Sequence, residues 1–204
     1  SLNYGNTHWD AKFNSTSGTN TWRLGANQTI NNDLTVSAGT FDANNWTLAI
    51  SGNTVIEGGI MMTGTNTNTF CNAGGDTVTI SNGELQIESD DTSVDIVKNA
   101  GTWTNSGGTI TYNAAPVVST VVRSALSPYY NFKIDSAGST YTLDNPITVN
   151  ASVNINTGTL DTSNGNNFAI EVKGNWTNTG TFEPRLGTVT FSGADGSTQI
   201  FTGN

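Results

Sequence analysis

A disulfide needs two cysteines, and this sequence of 204 residues has one, Cys71. The chain must be held by hydrogen bonds and apolar packing, and Cys71 reads as a small buried hydrophobe rather than a reactive thiol. Histidine is as scarce. His8 stands alone, so neither a multi-histidine metal site nor a zinc cluster can be assembled. Charge is thin, with Lys, Arg, Asp and Glu making up 11% of the chain, against about a quarter in ordinary domains. Seven Lys and Arg against sixteen Asp and Glu give a net charge of −9 and a pI near 4.2. Nucleic-acid backbones and anionic membrane surfaces both call for clustered positive charge, so neither is expected as a partner. The longest apolar runs, such as "VVSTVV" (117–122), are far shorter than a membrane span, and no membrane insertion is expected. The opening "SLNYGNTH" lacks the basic and apolar regions of a signal peptide, which reads as a mature form or an excised piece.

What the chain has instead is Thr (34), Asn (28) and Gly (23). Thr favours strands, while Asn and Gly favour turns, so the composition describes many short strands joined by tight bends. Abundant neutral polar residues with little charge also suit disorder. Five Trp, eight Phe and regular apolar alternation argue against that here.

The chain repeats itself. Residues 21–42, "TWRLGANQTINNDLTVSAGTFD", lie over 140–161, "TYTLDNPITVNASVNINTGTLD", without a gap, and seven of the 22 positions are identical. Five more exchange one apolar or aromatic residue for another: Trp22/Tyr141, Ile30/Val149, Leu34/Val153, Val36/Ile155 and Phe41/Leu160. In Leu34-Thr35-Val36 and Val153-Asn154-Ile155 apolar residues alternate with polar ones, which predicts strands with one buried face. A second phrase recurs as "GTWTNSG" (101–107) and "GNWTNTG" (174–180), followed by "GTITY" (108–112) and "GTVTF" (187–191). A third correspondence sets "FNSTSGTNTW" (13–22) against "FSGADGSTQI" (191–200). Short alternating segments punctuated by Gly, Asn, Asp or Ser suit a sandwich, a barrel or a solenoid. A repeated strand-turn-strand grammar favours the solenoid, in which each coil buries its neighbour. The expected fold is all-β, a parallel β-helix of roughly eight to ten coils with essentially no helix. It would form a single array over residues 1–204, less regular around 54–100. The Gly before Thr in the repeated phrase is expected to bend a corner, and Asn side chains to hydrogen-bond up the stack.

The run from Tyr129 to Gly193 also resembles the repeat of very large bacterial and archaeal surface proteins and adhesins. The matching pieces are Tyr130-Asn131-Phe132-Lys133-Ile134, Thr142-Leu143, Ile147-Thr148-Val149, Gly158 to Asp161, Gly174 to Asn178 and Gly187 to Phe191. The resemblance implies a right-handed parallel β-helix used as an extracellular or cell-surface stalk, adhesin or filament. It carries no catalytic residue across.

Parallel β-helices also include enzymes acting on polysaccharides, whose hydrolases need carboxylates converging on one face. The densest acid cluster is Glu84, Glu88, Asp90, Asp91 and Asp95, and in "ELQIE" the acids alternate with Leu85 and Ile87. That pattern reads as a solvated strand face with an acidic turn. Calcium at Asp90, Asp91 and Asp95 lacks any fixed ligand spacing. No Gly-x-Ser-x-Gly elbow accompanies His8, and "GGIMMTG" (58–64) lacks the lysine of a phosphate loop. Sugars could stack on Trp9, Trp22, Trp46, Trp103 or Trp176, although Trp22 and Trp103 sit in repeated positions and read as packing residues. "TGTNTNTF" (63–70) evokes a flat threonine array. Sequons at Asn14, Asn27, Asn45, Asn150 and Asn175 are no more numerous than this composition gives by chance. No catalytic, cofactor-binding or metal-binding residue is therefore assigned, no cofactor is expected, and the chain is not expected to be an enzyme. The expected partner is itself or neighbouring repeats through the solenoid ends, with a surface carbohydrate as a further possibility. The final "TQIFTGN" aligns with "NTWRLGA" (20–26), where the chain continues into another strand, so the ends are expected to stack on another copy or on neighbouring repeats.

Overall fold

The computed structural model describes residues 7–65, 68–70, 75–88, 102–114, 119–194 and 196–203. Its sheets are all parallel and stack as a β-solenoid of about eight turns. The only helix among the described residues is a three-residue 3-10 turn, Ser124–Leu126. The chain divides into two compact units, Ser1–Thr109 and Ile110–Asn204.

In the first unit the strands are β1 (Thr7–His8), β2 (Ala11–Asn14), β3 (Thr21–Arg23), β4 (Gln28–Ile30), β5 (Leu34–Ala38), β6 (Thr40–Asp42), β7 (Leu48–Ile50), β8 (Thr54–Ile56), β9 (Ile60–Met62), β10 (Asn68–Thr69), β11 (Thr77–Ile80), β12 (Glu84–Ile87) and β13 (Thr102–Asn105). Three strands make a coil, and like strands stack into three rows. The first row is β1-β4-β7-β10, the second β2-β5-β8-β11-β13 and the third β3-β6-β9-β12. Alternation decides which side chains point in. Leu34 and Val36 are fully buried while Thr35 between them is not. Register then sets inward residues in columns: Val36 on Ile56 on Ile80, and Phe41 on Met61. Strands β8, β9, β11 and β12 keep these rows, with the coil lengthened from 20 residues (Leu34 to Thr54) to 24 (Thr54 to Val78).

β14 (Thr109–Tyr112) leads into the second unit, which holds β15 (Ser119–Val122), β16 (Asn131–Leu143), β17 (Ile147–Val149), β18 (Val153–Asp161), β19 (Ile170–Val172), β20 (Trp176–Asn178), β21 (Thr181–Glu183), β22 (Val189–Phe191) and β23 (Phe201–Gly203). One row is β17-β19-β22. A second stacks Phe132, Val153, Trp176 and Phe201 along β16, β18, β20 and β23. A third stacks Tyr141, Leu160 and Phe182. Val153 and Ile155 are buried, as the alternation predicts.

The two copies of the repeat fold alike. Residues 21–42 form β3 to β6, and residues 140–161 form the end of β16, then β17 and β18, strand for strand. Gly39 has φ +83° and Gly158 φ +82°, so the Gly before Thr does bend the corner. The glycine is also needed for close approach. In the first unit Gly39, Gly59, Gly83 and Gly108 follow one another from coil to coil, and a Cβ on each of the last three would meet the carbonyl oxygen of the one before. Those carbonyls accept the N–H groups of Ile60, Glu84 and Thr109 at 2.8, 3.0 and 2.9 Å.

One shorter correspondence is corrected. Trp103 stacks on Val78 in the first unit and Trp176 on Val153 in the second. "GTVTF" is another matter: it supplies β22 in the row of β17 and β19, whereas Thr109 of "GTITY" continues the row of Glu84. The true counterpart of Gly39-Thr40-Phe41 is Gly180-Thr181-Phe182, since Thr181 and Phe182 stack on Thr159 and Leu160. Phe13 stacks on Val36, Phe191 on Val172 in the row of β17 and β19, and β23 pairs β20 in the sheet that also holds β3. Strand chemistry is so similar in all three rows that a short phrase matches out of register.

Candidate functional site

The outer surface of the coils is organised by side chains that accept hydrogen bonds from the next coil. Asp33 Oδ1 accepts the backbone N–H of Asn53 at 2.8 Å, and Asn53 Oδ1 accepts that of Thr77 at 2.9 Å. Asn27, Asn167 and Asn175 accept the N–H groups of Thr47, Leu186 and Ile200 in the same way, at 2.9, 3.1 and 2.9 Å. The asparagine ladder expected from composition is thus mostly side chain to backbone. Each bond occupies an N–H in a turn or at the entry to a strand.

The Asp of the repeated phrase is the functional-looking residue that sequence reasoning passed over. Asp42 Oδ1 accepts the N–H of Asn44 at 2.7 Å, and its Oδ2 accepts Arg23 Nε at 2.7 Å. Asp161 Oδ1 accepts the N–H of Ser163 at 2.9 Å, while Arg185 donates from Nε at 3.1 Å and from Nη2 at 2.8 Å. Asn44 and Ser163 both have positive φ, 56° and 74°. The carboxylate therefore holds a left-handed corner, and an arginine from an adjacent coil neutralises it. Hydrogen bonding from Arg185 holds the Asp161 carboxyl below the usual aspartate range. With both oxygens engaged, neither aspartate is free to serve a substrate. The signal was available: this Asp is one of the seven identities in the repeat.

Of the acid cluster, Glu84 and Glu88 are described; Asp90, Asp91 and Asp95 lie outside the described residues, as does Cys71. Leu85 and Ile87 point inward, but Glu84, Gln86 and Glu88 are half-buried rather than solvated. Glu88 Oε2 accepts the N–H of Gly64 at 3.1 Å, and Thr63 Oγ1 accepts the N–H of Glu88 at 3.1 Å. Burial pushes the Glu88 carboxyl above the ordinary glutamate value, and the charge of Asp42 adds to that. Among the described residues no three His, Cys, Asp or Glu side chains come together as metal ligands.

His8 shares a hydrogen bond with Gln28 Oε1 at 3.1 Å. Trp22 packs on Phe13 with ring centroids 5.4 Å apart, and Trp176 is buried against Phe182 at 4.9 Å. Trp9 and Trp46 are the tryptophans open to solvent, at 69% and 37% exposure. Thr63 is fully buried, so "TGTNTNTF" is not an outward threonine array over its described part. All five sequon asparagines are exposed, but Asn27 and Asn175 spend their side-chain oxygens on the ladder.

Two openings lie at edge strands. In the first unit a cavity of about 190 Å³ sits beside β1 and β2, lined by His8, Ala11, Phe13, Gln28 and Phe41 among others. In the second unit a cavity of about 230 Å³ is lined by Trp176, Phe182, Phe191, Phe201 and Gly203 among others. There Phe201 is 60% and Ile200 56% exposed. Within the described residues β22 and β23 are paired on one side only. Such an edge presents unpaired backbone groups beside an apolar core. No helix among the described residues is long and apolar enough to cross a membrane. Compared with protein-family models, with curated proteins and with solved structures, the chain matches none.

Proposed function

We propose that this chain is a structural and interaction protein: a β-solenoid segment of an extracellular or cell-surface stalk, adhesin or filament, built to stack on further coils of the same kind. The observation that carries the reading is the repeated corner. Gly39 and Asp42 recur as Gly158 and Asp161 with the same backbone bend and the same charge-neutralised turn. A chain that devotes its recurring polar residues to joining one coil to the next invests in the array rather than in a reaction site. Surface carbohydrate is the partner favoured by the exposed faces of Trp9 and Trp46.

The test is a tandem fusion of two copies. Hydrogen exchange at Val189–Phe191 and Phe201–Gly203 of the leading copy should slow markedly once a further coil can cover these strands. Unchanged exchange there, or cleavage of any member of a polysaccharide panel by the single chain, would remove the reading.

A further inference from the structure

The apolar opening of the second unit is lined by Phe191 of β22 and Phe201 of β23, strands that are paired on one side only among the described residues. The repeat makes β4 the counterpart of β17, because residues 28–30 correspond to 147–149, and β5 the counterpart of Val153–Ile155. β1 precedes β4 by one coil, with Thr7 on Thr29 and His8 on Ile30. β2 precedes β5, with Ala11 on Leu34 and Phe13 on Val36. In the second unit β22 follows β19, and β23 follows β20. Among the described residues β1 and β2 are paired only on the side of β4 and β5, and β22 and β23 only on the side of β19 and β20.

Setting the coil of β1 and β2 onto β22 and β23 in this register pairs Thr7 with Thr190 and His8 with Phe191. In the neighbouring row Ala11 meets Phe201, Lys12 meets Thr202 and Phe13 meets Gly203. Side-chain volumes then alternate across the contact. Phe201 faces a methyl group, and the Phe13 ring faces a residue with no side chain, above the 230 Å³ opening that Gly203 helps to line. Large-on-small alternation fills space at the density of a protein interior, whereas two aromatics in register would collide. The contact continues an interface the chain already uses between each pair of its coils.

We propose that the edge formed by β22 and β23 is a docking site for a second copy of this chain, entered by β1 and β2 in that register. The proposal rests on the coil-stacking reading above and adds its partner and alignment. It uses two rows only, since a helical coil seated in this way leaves one strand position above Thr181–Glu183 that β3 does not reach. The contact is heterologous: the surface offered differs from the surface used, so each added copy leaves a fresh edge.

Sedimentation velocity of the whole chain tests it, with Ala11→Trp to block one surface and Phe201→Asp to block the other. Phe201 is mostly exposed and Ala11 borders an open cavity, so circular dichroism should report both variants folded. The unmodified chain should form dimers and larger species as concentration rises. Each variant alone should sediment as a monomer, and an equimolar mixture should give dimers and nothing larger, because one intact surface of each kind remains. Three results overturn the proposal: an unmodified chain still monomeric at about 1 mM, a blocked variant that self-associates, or a mixture that stays monomeric. If the tandem fusion protects β22 and β23 while separate chains stay monomeric, the second copy is excluded and the coil-stacking reading stands. If the fusion also fails, both fall.

Discussion

Two glycines of the second unit share a backbone conformation and differ in surroundings, which separates two reasons for their presence. Gly158 has φ +82° and Gly165 φ +94°, so an alanine at either carries the left-handed penalty of roughly 1–2 kcal/mol. Part of that is offset, by roughly 0.4–1 kcal/mol, because alanine also restricts the unfolded chain. Around Gly165 no atom lies within 4 Å of an added Cβ. At Gly158 the Cβ would run into the carbonyl oxygen of Ser136 and lie 3.0 Å from that of Ser139. Both are backbone atoms of the preceding coil and cannot rotate away. Overpacking of this kind costs roughly 1–3 kcal/mol. Gly165→Ala should therefore change stability by about 1 kcal/mol or less, and Gly158→Ala by roughly 2–4 kcal/mol. Urea unfolding followed by circular dichroism reads the difference. With slopes of about 1–3 kcal/mol per molar urea, the Gly158→Ala midpoint should fall roughly 1 M further than that of Gly165→Ala. Equal midpoints would refute the reasoning, since the corner would then need the glycine only for its φ.

Val153→Asp places a charge at a fully packed position, 1% exposed, and should cost several kcal/mol, leaving little or no folded second unit by circular dichroism. Tyr129→Phe deletes the hydroxyl that donates to Arg123 O at 2.6 Å and meets the Tyr112 hydroxyl at 2.9 Å, so the thermal midpoint should fall with a loss of about 1–3 kcal/mol. Asp161 is held below its usual pKa by Arg185. Its contribution is therefore complete above the ordinary aspartate value and fades as pH falls through the folded value; Asp161→Asn should flatten the acid limb of the stability profile. Glu88 has the opposite sign. Its raised folded pKa makes the charged form unfavourable, so stability should rise as pH drops through that value, and Glu88→Gln should abolish the rise.

The sequence by itself determined the fold class and the inward residues. Strict alternation at Leu34, Val36, Val153 and Ile155 leaves one way to bury them, and the gap-free repeat places Gly39, Gly158, Asp42 and Asp161 at equivalent corners. These are consequences of local periodicity, which a linear pattern records. Which strand stacks on which was decided only by the tertiary structure. "GTITY" and "GTVTF" read alike yet enter different rows, because three rows of short alternating strands have nearly the same chemistry and only the lengths of the bends set the register. The role of Arg23 and Arg185 was hidden for a related reason. Their partners lie 19 and 24 residues away, one coil distant in opposite chain directions. The half-burial of Glu88 was equally out of reach, since alternation assigns a side chain to a face while the neighbouring coil decides how much water that face keeps.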